Sequence, residues 1–212
     1  MKFLKWIASV GITVCAASAV AAGLQNLESF VRTAKTGRAE FTQVVTSPAR
    51  EGQAPRVKTS SGTFEFSRPD RFKFVYKKPF EQSIVADGQT LWLYDVDLNQ
   101  VTARKQSQVL ASTPAALIAS APDMRALQAD FALTDVPEKD GIEWVLASPR
   151  GKDSALQSIR VGLHGGELAV LEILDSFGQR SVLTFNHFEL NPVLPGKTFE
   201  FKTPVGVDVI RQ

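Results

Sequence analysis

Gly62-Thr63-Phe64-Glu65-Phe66-Ser67-Arg68-Pro69-Asp70-Arg71-Phe72-Lys73-Phe74-Val75-Tyr76 is the stretch on which the fold turns. Phe64 and Phe66 alternate with polar residues, and so do Phe72 and Phe74, so each run reads as a strand with one aromatic face. Arg68-Pro69-Asp70 between them is turn chemistry, and the two strands are expected to fold back as a hairpin that sets its aromatic rows side by side. The same texture continues outward. Glu81 to Ala86 and Thr90 to Tyr94 flank Asp87-Gly88, a tight-turn signal, and Leu98 to Arg104 follows a turn at Asp95 to Asp97. Upstream, Arg38 to Thr46 carries Ala39, Phe41 and Val45 on one side, and Ser47 to Ser61 includes a Pro/Gly/Ser-containing loop. Downstream, strands are expected at Asp130 to Thr134, Ile142 to Ala147, Leu156 to Val161, Glu167 to Leu174 and Arg180 to Phe188. Gly165-Gly166 and Phe177-Gly178 supply turns, and a last edge is expected near Phe199 to Lys202.

The β texture breaks twice. Leu24, Leu27, Phe30, Val31 and Ala34 form one apolar stripe at helical spacing, closed by Gly37. Between Ser112 and Leu127, Thr113 caps a helix whose first position is Pro114. Ala115 to Ala121 continues it, Pro122 stops it, and Asp123 is a cap for another short turn. No repeat or low-complexity linker divides residues 23–212, so the expectation is one mainly β domain: a strongly curved antiparallel sheet with a few helices on its concave face.

Met1 to about Ala22 reads as a secretory signal cleaved near Ala22, with Lys2 and Lys5 in front, an apolar run from Trp6 to Val20, and small residues at Ala21-Ala22. No later segment approaches the roughly 20 apolar residues of a membrane span. The single cysteine, Cys15, falls inside that signal, and Val14 stands where a lipid-attachment site wants a small residue. The remainder is then a secreted chain without thiol chemistry, whose stability rests on its core. Twenty-four basic against 22 acidic residues come to an even balance once Lys2 and Lys5 leave. Nucleic acid, whose phosphates demand a basic surplus, is a poor partner for it.

A catalytic constellation is missing from the sequence. His164 and His187 lack ligand-like spacing, no HExxH or paired-cysteine site is present, and neither is a GxSxG elbow or a dinucleotide fingerprint. Asp95, Asp97 and Asn99 resemble the start of a calcium loop, but Gln100 stands where its glycine belongs and Gln106 where its glutamate belongs. A non-enzyme without cofactor or metal is expected. The aromatic rows remain as the conspicuous feature. Phe64, Phe66, Phe72, Phe74 and Tyr76, joined by Phe41, Leu91 and Leu93, would make a large apolar floor. Spacing alone favours a sealed core under the helices over a binding cavity. Arg68 has two readings as well, a solvated hairpin residue or a donor fork reaching the open carbonyls of a helix end.

The run Gly62 to Pro69, the run Phe72-Lys73-Phe74, the segment Asp87-Gly88-Gln89-Thr90-Leu91-Trp92-Leu93-Tyr94, the Thr113-Pro114 helix, Phe41-Thr42-Gln43 and the closing Phe199 to Val209 occur in the order known from one family. The chain resembles the periplasmic outer-membrane lipoprotein carriers of LolA type over essentially all of residues 23–212. That resemblance implies a single incomplete antiparallel β-barrel with short α-helices forming a lid over an apolar concave face. It implies a periplasmic chaperone of lipoprotein transport. Such a protein takes up the acyl chains of lipoproteins released from an inner-membrane ABC-type complex, delivers them to an outer-membrane lipoprotein receptor, and is expected to be a monomer.

Carried over by position, Arg68 before Pro69 matches the family's lid latch, Phe72 and Phe74 match cavity-floor positions, and Val31 matches a helix position facing the cavity. Ala116 to Ala119, with Leu117 and Ile118, falls in the lid. Strand alternation adds Phe41, Phe64, Phe66, Leu91 and Leu93 to the acyl site. Two departures stand out: Phe74 where the family pattern has tryptophan, and Ala115-Ala116 where it has a bulkier lid pair, which would make for a lid that closes less tightly. Other classes stay open on residues alone: a membrane-anchored acceptor of the same fold, which should carry a lipidated cysteine, a general periplasmic binder of apolar ligands, and a sealed interaction module.

Overall fold

The computed structural model describes residues 22–49, 52–109, 121–151 and 154–212. Strands β1 (Thr36–Ser47), β2 (Arg56–Ser67), β3 (Arg71–Lys78), β4 (Gln82–Asp87), β5 (Thr90–Asp95) and β6 (Gln100–Lys105) form one half of the molecule. The other half holds β7 (Phe131–Lys139), β8 (Ile142–Pro149), β9 (Leu156–His164), β10 (Glu167–Asp175) and β11 (Arg180–Leu190), and the chain closes with β12 (Asp208–Arg211). All belong to one twelve-stranded sheet in the order β12-β6-β5-β4-β3-β2-β1-β11-β10-β9-β8-β7. Each half is a meander of hairpins, and β1 joins them by pairing with both β2 and β11. The helices among the described residues are α1 (Gly23–Thr33), α2 (Gln106–Val109) and α3 (Met124–Asp130).

The central hairpin forms as its sequence demands. Phe64 lies opposite Phe74 and Phe66 opposite Phe72, and the same rows run on through Ile84 and Ala86 of β4 to Leu93 and Leu91 of β5. Asp87 holds the next hairpin, its Oδ1 accepting from the Gln89 and Thr90 amides at 2.8 Å and its Oδ2 from Trp92 Nε1 at 3.0 Å. Burial alone would raise this carboxyl, but the three donors outweigh it and hold Asp87 below its ordinary value. Asp123 caps α3 by accepting from the Ala126 amide at 2.9 Å.

Helix α1 lies against β7, β8 and β9 and buries Leu27, Phe30 and Val31, while Phe30 reaches Phe66 of β2 and Phe188 of β11. The sheet therefore curves around this helix. Its ends are held by residues far away in sequence. Asp135 on β7 accepts from the Leu24 amide at 2.7 Å, and Asn191 after β11 donates to Thr33 O and accepts from the Lys35 amide.

Two expectations are corrected. Gly37 does not close the helix, which ends at Thr33; it sits inside β1, where a Cβ would lie 2.2 Å from the Phe66 ring, so the missing side chain makes room for that ring. The closing edge is not at Phe199 to Lys202. That segment has no strand pairing and instead packs on the outer face of the sheet: Phe201 stacks on Trp92 of β5 at 5.2 Å, and Phe199 is buried beneath the guanidinium of Arg71 of β3. The last strand is β12, parallel to β6. Apolar residues at 199 and 201 therefore answer to packing on a neighbouring surface and not to a strand's alternation. The loop expected within residues 47–61 falls between the end of β1 at Ser47 and the start of β2 at Arg56.

Two measurements check these assignments. Gly37→Ala should destabilise the protein by about 1–3 kcal/mol in urea unfolding, the usual cost of overpacking a closed core. A depressed native carboxyl contributes stability that is present above its unfolded value, near pH 4, and lost as pH falls through its folded value. Asp87→Asn should therefore flatten the acid limb of the stability profile below about pH 4 while leaving its shape near neutrality unchanged.

Candidate functional site

The concave face is a layer of phenylalanine rings in mutual contact. Phe64 and Phe74 stack with centroids 4.4 Å apart, Phe66 stacks on Phe64 at 5.8 Å, and Phe72 meets Phe74 edge-on at 6.2 Å. Phe41 brings the layer across β1, edge-on to Phe74 at 5.5 Å and to Tyr76 at 5.0 Å, and Phe185 continues it onto β11. Phe64, Phe66 and Phe72 have no measurable solvent exposure. Val31 comes down on this layer from α1, and Leu91 packs at its edge, whereas Leu93 is half-buried farther along β5. The strands thus bring Phe41, Phe64, Phe66, Phe72, Phe74, Leu91 and Leu93 to one face, as alternation requires, with Val31 above them. Leu117 and Ile118 lie outside the described residues.

Arg68 stands at the border of this layer. Its Nε donates to Ala34 O, just past the end of α1, at 2.8 Å, and its Nη1 donates to Ala121 O, at the approach to α3. The guanidinium plane also covers the rings of Phe30 and Phe66, at 5.6 and 5.3 Å to their centroids. Burial lowers this group to about 10, so it remains a cation at neutral pH. Of the two readings open from sequence, the solvated hairpin arginine is excluded: one side chain ties the α1 end, the segment entering α3 and the aromatic layer together. The planar fork aims separate N–H groups at two carbonyls while its face lies on two rings, a combination that the compact ammonium of a lysine does not reproduce.

The layer itself is closed, and open space lies at both of its ends. Beside Val31, a cleft of about 470 Å³ separates α1 from α3, lined among others by Glu28, Lys35, Met124 and Gln128. At the far end of the strands, another of about 400 Å³ is lined by Gln43, Tyr76, Phe80 and Leu98. Sequence reasoning passed over Phe30, Phe185 and Phe188. Phe185 and Phe188 lie on β11 and join the layer through its pairing with β1, while Phe30, a member of the helical stripe, joins it where α1 packs on Phe66; no local signal announces either meeting. The remaining candidates have structural partners. Asp95 holds the turn after β5, accepting from the Leu98 amide at 3.0 Å; His164, the last residue of β9, places Nδ1 2.8 Å from Gly141 O; and His187, within β11, places Nδ1 3.3 Å from Glu40 Oε2. Among the described residues no helix is long and apolar enough to cross a membrane.

Comparisons with known proteins agree with this architecture. The family model of "Outer membrane lipoprotein carrier protein LolA" matches residues 32–202. An outer-membrane lipoprotein carrier protein of Albidiferax ferrireducens is 70% identical over 213 residues, covering 99% of this chain and 100% of that protein. One from Methylibium petroleiphilum is 50% identical, covering 98% of this chain and 97% of its own length. Among solved structures, an uncharacterised conserved protein of Thermus thermophilus shares the fold with a TM-score of 0.53 at 13% identity, over 89% of this chain and 96% of that one.

Arg68→Ala removes charge-assisted hydrogen bonds to the carbonyls of Ala34 and Ala121 and uncovers two rings, so it should cost about 1.5–3 kcal/mol in urea unfolding. Binding of an environment-sensitive apolar dye to the native protein should rise, and Arg68→Lys should restore only part of both effects. Dye binding no stronger than in wild type would show that this contact does not hold the face shut.

Proposed function

The chain belongs to the family of outer membrane lipoprotein carrier proteins, and from that premise we propose how its concave face carries cargo between two membranes. The observation that carries the reading is a contiguous phenylalanine layer, far larger than a hairpin core needs, sealed by one helix, by the segment entering α3 and by one arginine. The protein is a lipoprotein chaperone. It covers the acyl chains of a lipoprotein anchor, a task without a chemical step. Each methylene hidden from water contributes roughly 0.8 kcal/mol, which is why an acylated anchor does not cross an aqueous gap unaided.

A carrier must also let go. In the closed state the rings already satisfy one another, so an entering acyl chain replaces ring-to-ring contacts and gains only the difference. Arg68 sets part of that difference, because opening the face separates its guanidinium from Ala34 O and Ala121 O. Release needs no nucleotide: an acceptor offering a drier site draws the cargo onward, and reclosure of the aromatic layer compensates the carrier for the loss. Val31, Phe41, Phe64, Phe66, Phe72, Phe74, Leu91 and Leu93 form the acyl-contacting surface in this scheme, with Leu117 and Ile118 as lid residues. The finer assignments complete it: secretion to the periplasm with cleavage near Ala22, loading as a monomer from an inner-membrane ABC-type complex, and unloading to an outer-membrane lipoprotein receptor.

A release assay tests this. Mature protein is added to proteoliposomes bearing a lipoprotein-releasing complex and a labelled lipoprotein, and the soluble fraction is fractionated by size. A one-to-one complex should appear only when the protein is present, and Phe72→Glu, shown by circular dichroism to be folded, should abolish it. No soluble lipoprotein with folded wild-type protein, in a system that works with another carrier, would leave the family's fold here without its function.

A further inference from the structure

The aromatic layer does not run unchanged to the open end of the strands. Along β3 the inward positions are Phe72, Phe74 and then Tyr76, and along β1 they are Ala39, Phe41 and then Gln43. Tyr76 is the last ring of the layer, stacked over Phe74 at 6.4 Å and edge-on to Phe41, and its hydroxyl is where the polar surface begins. That hydroxyl hydrogen-bonds to the Gln43 side-chain amide at 3.0 Å, and the amide in turn reaches Ser181 Oγ on β11 at 2.8 Å. A polar chain thus links side chains of β3, β1 and β11, passing over β2, where the aromatic layer gives way to a polar end that also carries Ser60 and Gln82, and burial pushes the Tyr76 phenol up to about 12.

The chain has donors to spare. A hydroxyl brings one donor hydrogen and a primary amide two, so whichever way the Gln43 amide is turned, its two hydrogen bonds leave donor hydrogens over. Among the described residues these meet no further protein acceptor. Gln43 and Tyr76 also line the 400 Å³ cleft at this end, a volume in the range of small-molecule sites, whose rim carries Phe80 and Leu98 at 56% and 69% exposure with Lys58 Nζ 5.1 Å above the Phe80 ring. Opposite, the β9 to β10 side stays apolar, with Ile159 and Ile173 in the row of Ser181.

We infer that the Tyr76–Gln43–Ser181 chain is the subsite for the carbonyl groups that join acyl tails to the lipoprotein anchor, holding the ester-linked junction at the threshold between the aromatic layer and the open cleft. The junction's chemistry fits: an ester carbonyl accepts hydrogen bonds and has none to give, and it lies where an apolar tail meets a polar head. Spare donors beside the last ring of an apolar layer are its complement. This assignment rests on the carrier reading, and it adds a polar determinant that fixes how far the anchor enters.

Two synthetic lipopeptides test it: an S-diacylglyceryl-cysteine peptide with ester-linked chains, and its dialkyl ether analogue with chains of equal length. Wild-type protein should bind the ester form about threefold to tenfold more tightly, the scale of one net hydrogen bond. Gln43→Leu should bring that ratio close to one while leaving affinity for the ether form unchanged, so the ether form also reports that the variant is folded. Tyr76→Phe and Ser181→Ala should reduce the ratio partway. Equal binding of both forms by wild type overturns the assignment, as does equal weakening of both by Gln43→Leu, the mark of a merely structural role. If neither lipopeptide binds wild type, the carrier reading itself falls and takes the subsite with it.

Discussion

Phe64 stacks on Phe74 across β2 and β3 because two alternating strands pair side by side with their aromatic positions on one face, and neither ring can be left in water. Each buried phenylalanine is worth roughly 1.5–3 kcal/mol, so the layer built on this pair sets the terms for every element that covers it. Helix α1 is apolar on the side that meets the layer and is pinned at both ends by Asp135 and Asn191. Gly37 is a glycine because the Phe66 ring occupies the space of a side chain. The sheet stays unclosed, since β7 and β12 lie at its two margins, and coverage of the concave face falls to helices instead of to a second sheet.

In the proposed reading this core doubles as the binding surface. An ordinary core is closed for good by large, rigid neighbours. Here the described residues over the β2 and β3 side include the end of α1, the segment entering α3 and Arg68, whose contacts with Ala34 O, Ala121 O and two rings are polar or cation–π. Such contacts can be exchanged for water, which the rings' own contacts cannot, and the proposed opening is therefore assigned to this border. Apolar area buried in the empty state lowers the net gain from an acyl chain, and a modest net gain is what permits transfer onward.

The two faces of the sheet illustrate how one residue type serves two ends. Phenylalanines on the concave side form a layer suited to displacement by another apolar body. Phe199 and Phe201 on the outer side act as a local clamp, pressed on Trp92 and beneath Arg71 and followed by a strand bonded along β6. The clamp ties β5 and β3 together on the side of the sheet opposite the phenylalanine layer.

Much of this was legible in the chain. Alternation at 64 to 66 and 72 to 74, the Asp87-Gly88 turn, the α1 stripe and the Asp123 cap are local rules acting over a few residues, and local sterics and hydrogen bonding enforce them wherever they occur. The membership of Phe41, Phe64, Phe66, Phe72 and Phe74 in one face follows from the same period. What only the tertiary structure decided depends on pairings between distant residues: β1 with β11, which adds Phe185 to the layer, β12 parallel to β6, and Phe199 and Phe201 on the outer face. The capping of α1 by Asp135 and Asn191 and the choice between two fates for Arg68 were settled the same way. Local pattern states which way a side chain points, but what it meets is set by the lowest-energy packing of the whole chain, and that sum has no signature at any single position.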